Sequence, residues 1–177
     1  MNTNWLSPDV EHEQRVQEYA ARAAALIERD PFVGRVRELG RRIALAQLLL
    51  KLTSPGVPDI YQGDELEDLS LVDPDNRRPV DWDARRAALA ALRAGAAPTG
   101  KTAKLFVTWK TLSLRAEHAA AFGGSYDLVD LGPGVCAYTR GGEVLVAVAT
   151  WPHVEPKPPA GWREVLGLPG VALCVRV

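Results

Sequence analysis

The chain has 177 residues, of which 47% are hydrophobic and 24% charged, and its net charge is -1 from 21 basic and 22 acidic residues. This composition is that of an average globular protein, so it excludes a disordered tail and a collagen-like fibre. Apolar runs far shorter than about 20 residues exclude a membrane span, and the absence of a basic cluster argues against a nucleic-acid partner. With no secretory signal at its N-terminus, the chain is expected to be cytoplasmic.

Residues 1–120 predict a mostly helical region. Ser7 followed by Pro8 resembles the start of a first helix, and Asp30 followed by Pro31 resembles the start of a second. The second helix carries an apolar stripe at alternating spacings of four and three residues, made of Phe32, Val36, Leu39, Ile43, Ala46 and Leu50. Its arginines lie mostly off that stripe and predict a solvated face.

After the second helix the chain changes character. Ser54-Pro55-Gly56 ends the helix, and residues 57–61 then predict a short buried parallel strand. Residues 62–80 show no periodicity, and loops of that length are usually functional. Two further helices are predicted, one beginning near Asp83 and one over residues 103–118.

Residues 121–177 predict a small β-domain. Two β-rich runs, 135–139 and 144–148, flank Gly141-Gly142, a pair typical of a hairpin turn, and residues 173–177 predict a last strand. So few strands need support, which we expect from the helix around Trp109. The sequence therefore predicts two domains, 1–120 and 121–177.

The first candidate site follows the predicted strand and consists of Tyr61, Gln62, Gly63, Asp64 and Glu65. In α/β architectures the loops after the carboxyl ends of strands build the active site. The alternative interpretation makes Asp64 and Glu65 the N-terminal charges of a short helix.

The second candidate site lies at residues 73–79, where two prolines restrain a polar loop. Asp73, Asp75, Asn76, Arg77 and Arg78 offer two carboxylates, an amide and two guanidinium groups. Planar groups with paired donors and acceptors suit the vicinal hydroxyls of a sugar. A salt-bridged loop that satisfies itself is the other interpretation, and both can hold together.

Other chemistries find no support in the sequence. His12, His118 and His153 have no carboxylate or cysteine at metal-ligand spacing, and no phosphate-binding glycine loop or nucleophile elbow occurs. Cys136 and Cys174 fall in strand patterns and are predicted to be apolar fillers. We therefore expect neither a metal nor a cofactor.

Residues 48–66, LLLKLTSPGVPDIYQGDEL, resemble the last barrel strand of the α-amylase superfamily, glycoside hydrolase family 13. Residues 69–81, LSLVDPDNRRPVD, are similar to a branch of that family that rearranges the reducing-end linkage of α-1,4-glucans. The resemblance extends over nearly the whole chain, loosely in the tail, and Asp64 departs from it at a position where threonine is expected.

The resemblance implies an α+β fold, in which a mostly helical part ends in the last βα element of a (β/α)8 barrel and is followed by a small antiparallel β-domain. It implies a maltooligosaccharide or another α-1,4-glucan as substrate. It also implies that the catalytic carboxylates, an aspartate nucleophile, a glutamate acid/base and a second aspartate, belong to barrel strands preceding everything in this chain, so no catalytic residue is assigned here.

We therefore expect the chain to act together with an absent N-terminal catalytic part and to be inactive by itself. The alternative is a non-catalytic carbohydrate-binding or partner-binding remnant of a family 13 glycosidase. The residues expected to bind substrate are Tyr61, Gln62, Glu65, Asp75, Asn76, Arg77 and Arg78.

Overall fold

The computed structural model describes residues 3–4, 6–70 and 77–177, and in this part of the chain five helices precede five strands. The helices are α1 (Val10–Ile27), α2 (Pro31–Thr53), α3 (Trp82–Arg93), α4 (Ala103–Glu117) and α5 (Ala119–Gly123). The strands are β1 (Tyr126–Leu128), β2 (Val135–Arg140), β3 (Val144–Ala149), β4 (Trp162–Leu168) and β5 (Val171–Arg176). The predicted α+β class, helices first and antiparallel strands after, is confirmed.

Side-chain caps determine where the helices begin. Asp30 accepts a hydrogen bond from the Phe32 amide at 2.8 Å, and Asp81 accepts one from the Ala84 amide at 2.9 Å, as expected for the starts of α2 and α3. The predicted start of the first helix at Ser7 is wrong. Asp9 caps α1, whereas the Ser7 amide donates to the side chain of Asn4 in a preceding turn.

The chain forms two compact units, Met1–Gly40 and Arg41–Val177. The first contains α1 and the beginning of α2, and α1 has no buried residue. The second contains the end of α2, the other helices and the whole sheet. The domain boundary at residue 120 stays a prediction.

The five strands form one antiparallel sheet in the order β1-β2-β3-β5-β4. The predicted hairpin between β2 and β3 is confirmed. Gly141 and Gly142 both have positive φ, and the Glu143 amide donates to the Arg140 carbonyl at 3.1 Å. A Cβ on Gly141 would lie 2.6 Å from Cα of Ala121, so α5 leaves no room for a side chain there. β1 and β4 were not among the predicted strands.

One face of the sheet packs against α2 and α4. The buried cluster joins Leu49 and Leu52 of α2 and Val107 of α4 to Val146 and Leu173 of the sheet. Support from the helix around Trp109 is thus confirmed, and α2 adds to it. A second, smaller cluster lies on the other face of the sheet. It consists of Ala137, Leu145, Ala147, Ala172 and Cys174.

The two cysteines lie in the sheet. Cys174 of β5 is buried, and this burial, with a smaller contribution from Glu164, raises the pKa of its thiol to about 11. Cys136 of β2 is half-buried. The predicted role as an apolar filler is confirmed for Cys174.

The predicted strand at residues 57–61 is not formed in the structure. A parallel strand requires hydrogen-bonded neighbours, and no strand in the described part of the chain pairs with this segment. The apolar and proline pattern alone is therefore not sufficient for a strand at these residues.

Candidate functional site

The first candidate loop leaves α2 through residues 54–56 and exposes its first two side chains. The Tyr61 side chain is half-exposed, at 50% of its surface, and Gln62 is exposed beside it. Gly63 is buried with φ +89, and a Cβ there would lie 3.1 Å from Cγ2 of Val80. Only glycine suits this turn, because its backbone is left-handed and lies against the residues that precede α3.

Glu65 points away from solvent toward Arg85 of α3. Arg85 Nε lies 3.1 Å from Glu65 Oε2, while its Nη2 donates to the Gly63 carbonyl at 2.5 Å and its Nη1 to the Asp81 carbonyl at 3.0 Å. One guanidinium group thus links the loop to the start of α3. Glu65, predicted to bind substrate, serves here as an anchor of the loop.

Asp64 lies between two lysines. Its Oδ1 accepts a hydrogen bond from Lys104 of α4, and its Oδ2 lies 3.8 Å from Nζ of Lys51 on α2. Residues 61–70 form no helix, so the interpretation of Asp64 and Glu65 as helix N-terminal charges is wrong. No local pattern points to Lys51, Arg85 or Lys104, because they lie on other elements.

The second candidate loop is described only in part. Asp73, Asp75 and Asn76 lie outside the described residues, and Arg77 and Arg78 are exposed. Val80, two positions after Arg78, lies so close to Gly63 that a Cβ there would be 3.1 Å from its Cγ2. The structure therefore brings the end of the second loop against the beginning of the first.

Exposed residues of this region include Tyr61, Gln62, Arg77 and Arg78, beside the acidic residues Asp59, Glu67 and Asp68. An aromatic face can stack on the apolar face of a sugar ring, and a guanidinium can donate to two hydroxyls. The carboxylates of Asp64 and Glu65 are both paired with cations. The arrangement suits binding of a polyhydroxylated ligand.

Among the residues described, no group of three or more histidine, cysteine, aspartate or glutamate side chains could hold a metal ion. Within the same residues, no helix is both long enough and apolar enough to span a bilayer.

No family model matches the chain. Two curated proteins do, both putative maltooligosyl trehalose synthases of Mycobacterium tuberculosis, from strains CDC 1551 / Oshkosh and ATCC 25618 / H37Rv. Each is 46% identical over 138 residues, which cover 70% of this chain and 17% of the relative.

Solved structures give the same result over almost all of the chain. The maltooligosyltrehalose synthase of Arthrobacter ramosus is 27% identical with a TM-score of 0.79, and the match covers 99% of this chain and 28% of that one. A second maltooligosyl trehalose synthase structure is 28% identical with a TM-score of 0.75, over 100% of this chain and 28% of that one. The chain thus spans less than a third of the length of the relatives that it matches.

Proposed function

Because the chain matches the C-terminal portion of maltooligosyl trehalose synthases, we propose that it forms the glucan-positioning part of such an enzyme. The observation that carries this proposal is the alignment of essentially the whole chain with 28% of a synthase chain at a TM-score of 0.79. The remainder of the enzyme supplies the catalytic carboxylates.

The proposed reaction is an intramolecular transglucosylation that retains anomeric configuration. A carboxylate of the catalytic part attacks the anomeric carbon of the penultimate glucosyl unit and releases the reducing-end glucose. The 1-hydroxyl of that glucose then captures the glucosyl intermediate, so an α-1,4 link becomes an α,α-1,1 link. Water must be excluded while the glucose turns, and ordered polar loops around it serve that purpose.

Tyr61, Gln62, Arg77 and Arg78 are the proposed glucan contacts, and Asp75 and Asn76 belong to the same proposed site. Tyr61 offers a stacking face, and the two arginines offer paired donors to hydroxyls or to a carboxylate that contacts the substrate. Glu65 holds the loop in place through Arg85. In the complete enzyme, residues 57–61 become the last strand of the barrel.

The test uses a chimaera in which this chain replaces the matching portion of the Mycobacterium tuberculosis relative. Arg77→Lys and Arg78→Lys keep the charge but lose the fork of donors, so at least one is expected to lower trehalose formation roughly tenfold without lowering the melting temperature. Arg86→Lys is the matched control, because Arg86 lies on the exposed side of α3 and pairs only with Asp83 among the contacts seen. Unchanged activity in both variants would contradict the proposed site.

A non-catalytic, partner-binding role is the second candidate, and the exposed apolar side chains of α1, such as Val16, Tyr19 and Leu26, favour it. Two results together would favour this role over the first. The chimaera would melt at the temperature of the parent enzyme but form no trehalose, and the isolated chain would bind another protein.

A further inference from the structure

Two arginines from different elements meet the carboxyl end of α2. Arg115 of α4 donates from Nη1 to the Leu52 carbonyl at 2.8 Å and from Nη2 to the Gly56 carbonyl at 2.9 Å. Arg140 of β2 donates from Nη1 to the Thr53 carbonyl at 3.0 Å, and from Nη2 to the Phe122 carbonyl. Carbonyls that the end of a helix leaves without partners thus receive guanidinium donors.

The two guanidinium groups share one aromatic ring and one local environment. Their Cζ atoms lie 4.7 Å and 5.8 Å from the centre of the Phe122 ring, and Arg140 is 2% exposed. Burial, and to a smaller degree the charge of Arg140, lowers the pKa of Arg115 below its ordinary value. The carbonyls at the end of α2 carry the negative end of the helix dipole and so favour two cations here.

A third contact from the sheet reaches the same turn of the helix. The Tyr138 hydroxyl donates to Oγ1 of Thr53 at 2.6 Å, and Thr53 donates to the Leu49 carbonyl at 2.6 Å. Tyr138 is buried and its ring packs against Tyr126 with centroids 4.4 Å apart. β2 therefore supplies two polar side chains to the last turn of α2.

These contacts determine where the chain goes after α2. Arg115 joins the last turn, at Leu52, to Gly56, the residue with φ +104 at which the chain turns. Tyr61 follows only five residues later. The segment that carries Tyr61 and Gln62 is therefore held at two points. One is this turn, and the other is the contact of Arg85 with Gly63 and Glu65.

We infer that Arg115 and Arg140 are positioning residues for the glucan site, which hold the turn at residues 54–56 and thereby orient Tyr61 and Gln62. This inference rests on the proposed function. It makes the C-terminal sheet a structural part of the glucan site, because β2 provides Arg140 and Tyr138. The sheet is then not a module that could be removed without loss of substrate binding.

The first experiment uses the 177-residue chain and needs no substrate. The lysine ammonium lacks the planar, spaced donors of a guanidinium, so Arg115→Lys and Arg140→Lys should loosen the last turn of α2. The Ser54 amide, bonded to the Leu50 carbonyl at 2.9 Å, is expected to exchange its hydrogen roughly tenfold faster in both variants. Arg93→Lys, on α3, is the control and should leave this exchange unchanged. Unchanged exchange in Arg115→Lys and Arg140→Lys would overturn the inference.

The second experiment measures the same variants in the chimaera. The KM for maltopentaose is expected to rise roughly fivefold while kcat stays within about twofold, because binding and not chemistry is disturbed. Tyr138→Phe removes one hydroxyl without altering charge, so it serves as a milder variant if Arg140→Lys does not fold. Faster exchange with an unchanged KM would mean that the arginines only stabilise the helix end, which overturns the positioning role.

The failure of the proposed function has a different signature. Tyr61→Ala tests the glucan contact directly, so an unchanged KM and kcat in that chimaera contradict the proposed site whatever the arginine variants do. A raised KM in Tyr61→Ala with no effect of the arginine variants overturns the positioning inference alone.

Discussion

Both α1 and β3 contain large apolar side chains, but those of α1 are exposed and those of β3 are buried. α1 has 18 residues and none is buried, although Val16, Tyr19 and Leu26 are large and apolar. β3 has six residues, and five of them are buried. Helices in water owe most of their stability to packing of one face, so we expect α1 to be the least stable element in its own unit and β3 to be among the most stable in its unit.

α2 contains the same contrast within a single helix. Phe32 is 60% exposed near its beginning, whereas Leu49 and Leu52 near its end are fully buried. Leu49 and Leu52 lie on a different face of the helix from the predicted stripe, of which Ala46 is buried whereas Phe32, Val36 and Ile43 are exposed. Periodicity alone therefore does not determine which face of α2 is buried, because burial depends on what packs against each part of the helix.

The largest expected effect compares the same substitution in the two regions. Leu49→Ala removes a fully buried side chain from the core and should lower the free energy of unfolding by about 2–5 kcal/mol. Leu26→Ala on α1 removes a side chain that is 77% exposed and should change it by less than about 0.5 kcal/mol. Urea unfolding monitored by tryptophan fluorescence measures both. Equal losses would mean that the exposed face of α1 is packed in solution.

The second comparison uses glycine. Gly141→Ala should cost about 1–2 kcal/mol for the left-handed backbone and roughly 1–3 kcal/mol more for the clash with Ala121. Gly142→Ala has the same backbone strain and no neighbour within 4 Å, so it isolates the first contribution. Gly34 lies inside α2 with open space around it, so Gly34→Ala should instead stabilise the helix by about 0.5–1 kcal/mol. Circular dichroism would show this stabilisation as a higher helix content. Equal destabilisation by the two hairpin variants would contradict the close packing of α5 on the turn.

The smallest expected effect depends on pH. Burial alone would raise the pKa of Glu155, but the Gly170 amide at 2.7 Å and Arg42 at 2.5 Å hold it below the ordinary value of 4.5. A lowered pKa stabilises the fold above that value, and the contribution is lost as the pH falls through the folded-state pKa. Glu155→Gln should therefore be less stable than the parent by less than about 1 kcal/mol at pH 7, and the difference should shrink as the pH falls below 4.5.

Glu28→Gln is the control for that ion pair, because Glu28 forms an exposed pair with Arg37 at 3.2 Å in the first unit. Its effect on stability should be close to zero. A Glu155→Gln deficit that persists unchanged at low pH would contradict an ionised Glu155 as its source.

Local signals in the sequence predicted much of the fold. The cap at Asp30 and the glycine pair of the hairpin are determined within a few residues, so they are readable without the rest of the molecule. Ser7 was predicted wrongly because a second capping residue, Asp9, follows it closely and both satisfy the same pattern. The short strand β1 carries too few residues for a period to be recognised.

Long-range interactions account for what was missed. The partners of Asp64 and Glu65 lie 13 to 40 residues away on helices, and Arg140 lies 87 residues from the Thr53 carbonyl that it contacts. Residues 57–61 have the composition of a strand, but no strand among the described residues pairs with them. Composition indicates the capacity to pair, while pairing itself requires another strand.

The most direct test of the proposed function is an assay of maltopentaose with the purified 177-residue chain beside the chimaera. Formation of an α,α-1,1 link removes a reducing end, so the loss of reducing ends measures the reaction. Since this chain is proposed to position glucan and not to carry the catalytic carboxylates, reducing ends should stay constant with the chain alone and fall with the chimaera. Loss of reducing ends with the isolated chain, at a rate near that of the chimaera, would contradict the account.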